Sequence, residues 1–388
     1  MSGTLPQKVW LATKALATRR VTMQFDRVPF EFEDVPLAKI LNWIRVEASV
    51  SVKPGRPWGQ PTHLQIEPSS VCNLRCPVCP VVTGLGRSAG LMDVELFKRI
   101  IDECCGSVFL ISLWGWGEPL VHPRIHDMVA YARSKGIAVI TSTNGHTLMK
   151  PGQVDRLIES GLDVLIVAVD GATQETYGRY RRPGDLASVL DGVRLLAERR
   201  RELGATSPRI DMRMVVMKHN EHEVQAMITV ARAAGADMFS LKTMNPLTHD
   251  PYGLDPSPQI DSDDHFIPSN PRYQRFRYEA DGKTRIRVED NPCRRLWNNP
   301  EVQSDGVVCT CSSDVSGRLA TGDLNRQSLG EIWASPTYRQ ARVQFRTDWE
   351  KRIPCCTCTY AYAGGSCVDE LIPDLYVLTP GGGAPGSD

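Results

Sequence analysis

Cys72, Cys76 and Cys79 form a C-x3-C-x2-C array, the set of side chains in this sequence best able to do chemistry. Three thiolates at that spacing can each take one iron of a [4Fe-4S] cube and leave the fourth iron open to a further ligand. Zinc fits the array poorly, because structural zinc sites take four protein ligands, commonly from paired C-x2-C arms. A second set, Cys293, Cys311, Cys355 and Cys358, follows the spacing C-x17-C-x43-C-x2-C, with a hairpin expected at Asp305-Gly306. Four thiolates converging through a small hairpin-and-helix unit would saturate one more [4Fe-4S] cluster, and a zinc ribbon is the rival reading. Cys104 and Cys105 read as core residues.

The elements that must hold these thiols are legible in the apolar pattern. From residue 63 to 245, short apolar runs alternate with helical-period segments, as in a parallel sheet covered by helices. Strands are expected at His63 to Glu67, Val108 to Leu113, Ile137 to Ser142, Val164 to Val169, Ile210 to Met217 and Met238 to Lys242. Leu186, Val189, Leu190, Val193, Leu196 and Ala197 mark one buried helix face. Six β/α units fall short of the eight in a closed barrel, so the expected fold is α/β, an open partial (β/α)6 barrel. Its site belongs at the C-terminal ends of the strands, where the first array directly follows strand one.

Residues 1–60 read as a helical extension with 9 basic and 5 acidic side chains, and with Leu37, Ile40, Leu41 and Ile44 on one helix face. That extension is either a cap over the barrel or a basic docking surface for a peptide or anionic lipid. Residues 61–245 are the barrel, 246–290 a Pro-rich connector or lid, 291–370 the small hairpin-plus-helix auxiliary-cluster domain, and 371–388 a disordered Gly/Pro-rich tail. The 45 Lys+Arg balance 45 Asp+Glu, which argues against a nucleic-acid partner. No apolar run is long enough for a membrane span. No secretory leader is recognisable, so the chain is expected in the reducing cytoplasm and its 12 cysteines call for a non-disulfide role.

Residues 60 to 245 resemble the radical S-adenosylmethionine (SAM) superfamily. The resemblance rests on the cysteine array, on Gly117-Glu118-Pro119 after strand two, on Ser142-Thr143-Asn144-Gly145 after strand three, on Asp170-Gly171 after strand four and on the segment Glu175 to Arg181. It implies a first [4Fe-4S] cluster on Cys72, Cys76 and Cys79 whose open iron is chelated by SAM. It implies contacts to the methionine amino group from Gly117, Glu118 and Pro119, and to the ribose from Ser142, Asn144 and Asp170. Arg181 would pair with the SAM carboxylate, with Arg179 or Arg182 as alternatives. Met217 would pack on adenine, and the backbone at Val78 would reach the base where much of the superfamily has an aromatic. Residues 291–370 resemble the Twitch/SPASM auxiliary-cluster domain, carried by the second cysteine set with Leu296-Trp297, Asp314, Gly317, Gly322, Trp333 and Arg342. The full SPASM cysteine run fails after Cys358, so one auxiliary cluster is expected.

By this resemblance the chain is an enzyme with two [4Fe-4S] clusters and SAM, reduced by a flavodoxin- or ferredoxin-type donor. A 5′-deoxyadenosyl radical would abstract hydrogen from substrate, and the reaction expected is a two-electron oxidation of a sugar or cyclitol carbinol. Lys242, His249, Asp250, His265 and Arg294 are the candidates to take the hydroxyl proton. Three other readings stay open: modification of a ribosomal peptide, a redox-neutral sugar epimerase, and a non-catalytic electron carrier. Cys309, Cys356 and Cys367 are alternative ligands, packing thiols or, in an epimerase, the hydrogen-atom donor.

Overall fold

The computed structural model describes residues 5–244, 266–274, 276–280, 285–364 and 370–372. Its first correction is to the helical reading of residues 1–60. Between α1 (Leu5–Thr18) and α2 (Leu37–Val52) lies an antiparallel hairpin of β1 (Val21–Phe25) and β2 (Val28–Phe32). Val21, Met23 and Phe25 alternate with Thr22 and Gln24, the period of a strand with one face covered, and Asp26 and Arg27 turn the chain with positive φ of 47° and 65°. Val28 and Phe30 pack against Leu110, Ala138, Ile140, Val164, Ile166 and Met238, so the hairpin fills the inside of the barrel rather than capping it.

The apolar runs become strands within two residues of the expected bounds. β3 (His63–Ile66), β4 (Leu110–Ser112), β5 (Ala138–Thr143), β6 (Val164–Ala168), β7 (Arg209–Val216) and β8 (Met238–Thr243) pair in parallel in that order, the open six-stranded partial barrel. The covering helices include α3 (Pro80–Thr83), α4 (Val94–Cys104), α5 (Ile125–Ser134), α6 (Gln153–Glu159), α7 (Gln174–Tyr180), α8 (Leu186–Glu202) and α9 (Val224–Ala234). In α8 the expected apolar stripe is buried at Leu186, Val189, Val193, Leu196 and Ala197, while Leu190 is partly buried. Asp185 caps its N-terminus, and Arg199, Arg200 and Arg201 lie where the negative end of the helix dipole favours cations.

The C-terminal unit holds α10 (Arg295–Asn298), β9 (Glu301–Val302), β10 (Val307–Cys309), β11 (Gly322–Asp323), α11 (Leu329–Ala334) and α12 (Pro336–Asp348). The hairpin expected at Asp305-Gly306 joins β9 to β10, with Gly306 at φ 91°. This unit does not hang from a linker. β9 pairs in parallel with β3, placing Glu301 opposite Gln65, so the sheet runs on from the barrel into the auxiliary unit. At the other edge β12 (Glu370–Ile372) pairs antiparallel with β8, which corrects the reading of a disordered tail from residue 371. Among the described residues the result is one ten-stranded sheet. Arg342 is buried 4.1 Å over the Trp333 ring and 4.0 Å over Tyr338, and it donates to the carbonyls of Leu296 and Trp333, pinning α10 to α11 and α12.

Candidate functional site

Cys72, Cys76 and Cys79 sit on the loop after β3 and line a cavity of about 260 Å³ at the C-terminal mouth of the barrel. Its wall also includes Leu74, Trp114, Glu118, Ser142, Asn144, Ala168, Arg181, Arg213, Val215 and Lys242. Three thiols facing one cavity beside a carboxylate, an amide and a guanidinium fit an open-sited cluster with a zwitterionic ligand on its free iron. Burial pushes the Cys79 thiol up to about 11, so the thiolates a cluster needs are costly until a metal supplies positive charge.

The turn after β4 is shaped by close backbone approach. A Cβ on Gly115 would collide with the Glu67 side chain, and one on Gly117 with the Ser69 carbonyl. Glu118 then accepts from Thr143 Oγ1 at 2.7 Å, from the Asn144 amide at 2.7 Å and from the Leu120 amide at 3.0 Å. Burial raises its carboxyl and these donors oppose the rise. A carboxylate has about four acceptor sites, so Glu118 keeps one for a cation in the cavity. Asn144 donates to Asn73 Oδ1 at 2.7 Å and reaches the Cys72 sulfur at 3.8 Å, which ties the third strand to the cysteine loop.

Arg181 faces the cavity and donates from Nε to Asp170 Oδ2 at 2.6 Å. Asp170 is fully buried, absent from the cavity wall, and accepts from the Val215 amide with its other oxygen at 2.7 Å. Its expected ribose contact is therefore replaced by orientation of Arg181. Arg179 is spent on an exposed pair with Glu175 at 3.0 Å, and Arg182 lies outside this cavity. Other expected positions along the cavity wall shift by two to four residues. Val215 lines the cavity where Met217 was expected, because the Met217 amide donates to Asn220 and its side chain is buried away from the cavity. Leu74 lines it where Val78 was expected, and Pro119 is buried in a turn behind Glu118.

Of the proton-acceptor candidates, Lys242 reaches the cavity. Arg294 does not: it pairs with Glu47 of α2 at 2.6 Å and anchors the C-terminal unit to the N-terminal one. His249, Asp250 and His265 fall outside the described residues, as do Cys367 and most of the connector.

Two groups escaped the sequence reading. Arg213 on β7 lines the cavity and is held by Asp26 at 2.6 Å, Asp211 at 2.9 Å and Ser240 at 2.9 Å. Burial opposes ionisation of Asp26, but Arg213 and Lys242 outweigh it and hold its carboxyl below the usual range. Charged Asp211 and Arg213 two apart in the interior of a mostly apolar strand were the available signal. The second group is Glu67, fully buried at the end of β3, which binds Arg87 at 2.7 Å, the Trp116 amide at 3.0 Å and the Ser304 amide at 3.1 Å. One carboxylate thus joins the segment after the cysteine loop, the turn that carries Glu118 and the β9–β10 hairpin.

The second thiol set also comes together. Cys355 lies within electrostatic reach of Cys311, Cys293 and Cys358; burial pushes its thiol up, Arg352 opposes the rise and the three neighbouring thiols add to it. Burial likewise pushes Cys358 up to about 12. Arg352 donates to the Cys355 sulfur at 2.9 Å. Cys309 is fully buried, and its thiol is raised by burial and by Asp314 and Glu301. Cys356 is half-buried.

Family models match the two regions that carry the thiol sets. The radical SAM superfamily profile matches residues 66–231, and an iron-sulfur cluster-binding domain, SPASM, matches residues 293–359. A tungsten-containing aldehyde ferredoxin oxidoreductase cofactor-modifying protein from Pyrococcus furiosus is 27% identical over 298 residues, 71% of this chain and 82% of that one. An AdoMet-dependent heme synthase from Methanosarcina barkeri is 27% identical over 231 residues, 59% of this chain and 61% of its own length. Among solved structures, Streptococcus suis SuiB bound to S-adenosylmethionine superposes with a TM-score of 0.58 at 15% identity, covering 84% of this chain and 78% of SuiB. In the described residues no helix is long and apolar enough to cross a membrane. SAM, a SAM-binding [4Fe-4S] cluster and an auxiliary iron-sulfur cluster are the cofactors these domains imply. The chain thus carries a radical SAM domain over residues 66–231, the six-stranded barrel with its three-thiol cavity, and a SPASM-type iron-sulfur cluster-binding domain over residues 293–359.

Proposed function

We propose that the chain oxidises a substrate carbon by two electrons, with a sugar or cyclitol carbinol as the substrate class. The observation that supports this reading is the second thiol set. Cys355 and its three neighbouring sulfurs would fill every iron position of a cluster, leaving no iron for a substrate and electron transfer as its use. When bound and reduced, the first cluster and SAM supply the hydrogen-abstracting radical.

The chain's own residues do the rest. Arg181, oriented by Asp170, would hold the SAM carboxylate with a guanidinium that suits it better than a point charge. Glu118 would take the amino group with its remaining acceptor site. Leu74, Trp114, Ala168 and Val215 give the cavity apolar walls that limit water. Lys242 would donate a hydrogen bond to the substrate oxygen, and the hydroxyl proton would leave to solvent. A flavodoxin- or ferredoxin-type donor would reduce the first cluster.

The test is anaerobic turnover with candidate sugars and cyclitols, in which 5′-deoxyadenosine should form in equal amount to oxidised product. The folded Cys355→Ala, Cys358→Ala double variant should still form 5′-deoxyadenosine but lose the matching product. Equal yields in that variant would remove the electron-acceptor role. A substrate returned with one solvent deuterium would replace oxidation by epimerisation.

A further inference from the structure

The outward face of α1 has no partner in the described structure. Leu11 and Ala15 pack towards Ile40 and Trp43, while Val9, Trp10 and Leu16 are 56%, 60% and 39% exposed. At 100° per residue Val9, Trp10 and Leu16, with Thr13 and Ala17, share the side opposite Leu11 and Ala15. A helix apolar on both sides is ordinarily covered on both. The hydroxyl of Thr13 donates to the Val9 carbonyl at 3.0 Å and that of Thr18 to the Lys14 carbonyl at 2.8 Å, so little polar surface there depends on water. The Lys8 ammonium bonds Ser51 at 3.0 Å, which sets Val52, 58% exposed, beside the same helix.

From α1 through β1 the formal charge has one sign. Residues 5–25 contain Lys8, Lys14, Arg19 and Arg20 and no Asp or Glu. Beyond them Asp26 is turned into the barrel on Arg213, Glu33 neutralises Arg20, Glu47 is buried on Arg294, and Glu31 and Asp34 are exposed, so Lys8, Lys14 and Arg19 carry the positive charge of the helix. Lys14 sits 5.1 Å over the Trp10 ring, an apolar plate with a cation at its edge.

We propose that α1 docks the enzyme on an anionic lipid bilayer, lying in the plane of the interface with Val9, Trp10 and Leu16 among the acyl-chain ends and its cations at the phosphates. A short helix with an exposed Trp, aliphatic neighbours and the cations of Lys8, Lys14 and Arg19 suits that boundary, and the attraction is weak, reversible and screened by salt. This does not depend on the reaction proposed above.

The experiment is co-sedimentation of the iron-loaded enzyme with vesicles of equal parts phosphatidylglycerol and phosphatidylcholine, against phosphatidylcholine alone. Binding is expected to the first and not the second, and to fall as salt rises. Lys14→Gln should weaken it about fivefold. Val9→Ser with Trp10→Ser should weaken it at least about tenfold. All three substitutions are at exposed positions, and iron content and circular dichroism should match the unaltered protein. No binding to anionic vesicles at low salt, or equal binding by the folded variants, overturns the proposal. So does a dimer that the Val9, Trp10 double variant dissolves, which would assign the face to a second copy of the chain.

Discussion

At the scale of single residues, the cavity is built by side chains that hold other side chains. Arg181 is the group aimed at a ligand, and Asp170 fixes where it points. Arg181→Ala should keep its iron and lose about 1.5 to 3 kcal/mol of SAM binding, roughly 10- to 150-fold, as expected for charge-assisted hydrogen bonds. Asp170→Asn keeps the bond to the Val215 amide but removes the charge that orients the guanidinium, so affinity should fall by about fivefold. Titration calorimetry with SAM on the cluster-loaded proteins measures both. Unchanged affinity in Arg181→Ala would move the role to Arg182.

At the scale of elements, the β1–β2 hairpin decides what the inside of the barrel contains. Its Phe25 ring lies edge-on to His63 at 4.7 Å, and His63 Nε2 meets the Ser112 hydroxyl at 2.8 Å. Burial, with the charge of Arg295, lowers the His63 imidazole to about 3, while Asp26 pulls the other way. A neutral folded His63 and an unfolded one near 6.5 mean that its contribution is complete above pH 6.5 and declines as pH falls from there towards 3. The decline should run at up to about 1.4 kcal/mol per pH unit. Denaturant unfolding between pH 7 and 4 should show a shallower loss of stability in His63→Gln than in the unaltered protein. Parallel slopes would show that His63 titrates normally in the fold.

At the scale of the whole molecule, the barrel and the auxiliary unit share one sheet through β3 and β9, and Glu67 bonds to both. Such continuity keeps the two thiol sets in fixed relation, a condition for electron transfer between substrate and auxiliary cluster. The iron inventory tests the two-site reading directly. About eight irons are expected per reconstituted chain, and about four after Cys72, Cys76 and Cys79 are all changed to Ala, with a cluster spectrum retained. Full iron in the triple variant would show that the array does not carry a cluster. A wild-type count near twelve would point to a second auxiliary cluster.

The six barrel strands, the buried stripe of α8 and the three-thiol loop were legible from the residues alone. Each depends on a short-range pattern: strand or helix periodicity, or cysteine spacing. The hairpin carried the same kind of signal in its alternation, but its place inside the barrel depends on contacts with Leu110, Ala138 and Ile166, far along the chain. For the same reason the sequence could nominate Asp170 and Arg181 together but not separate the holder from the held, since that turns on which one is buried. The pairing of Glu301 with Gln65 and the ion pair of Arg294 with Glu47 likewise join residues more than two hundred positions apart. Spacing along a chain records which groups can share a site, while burial and long-range pairing decide which of them face the ligand.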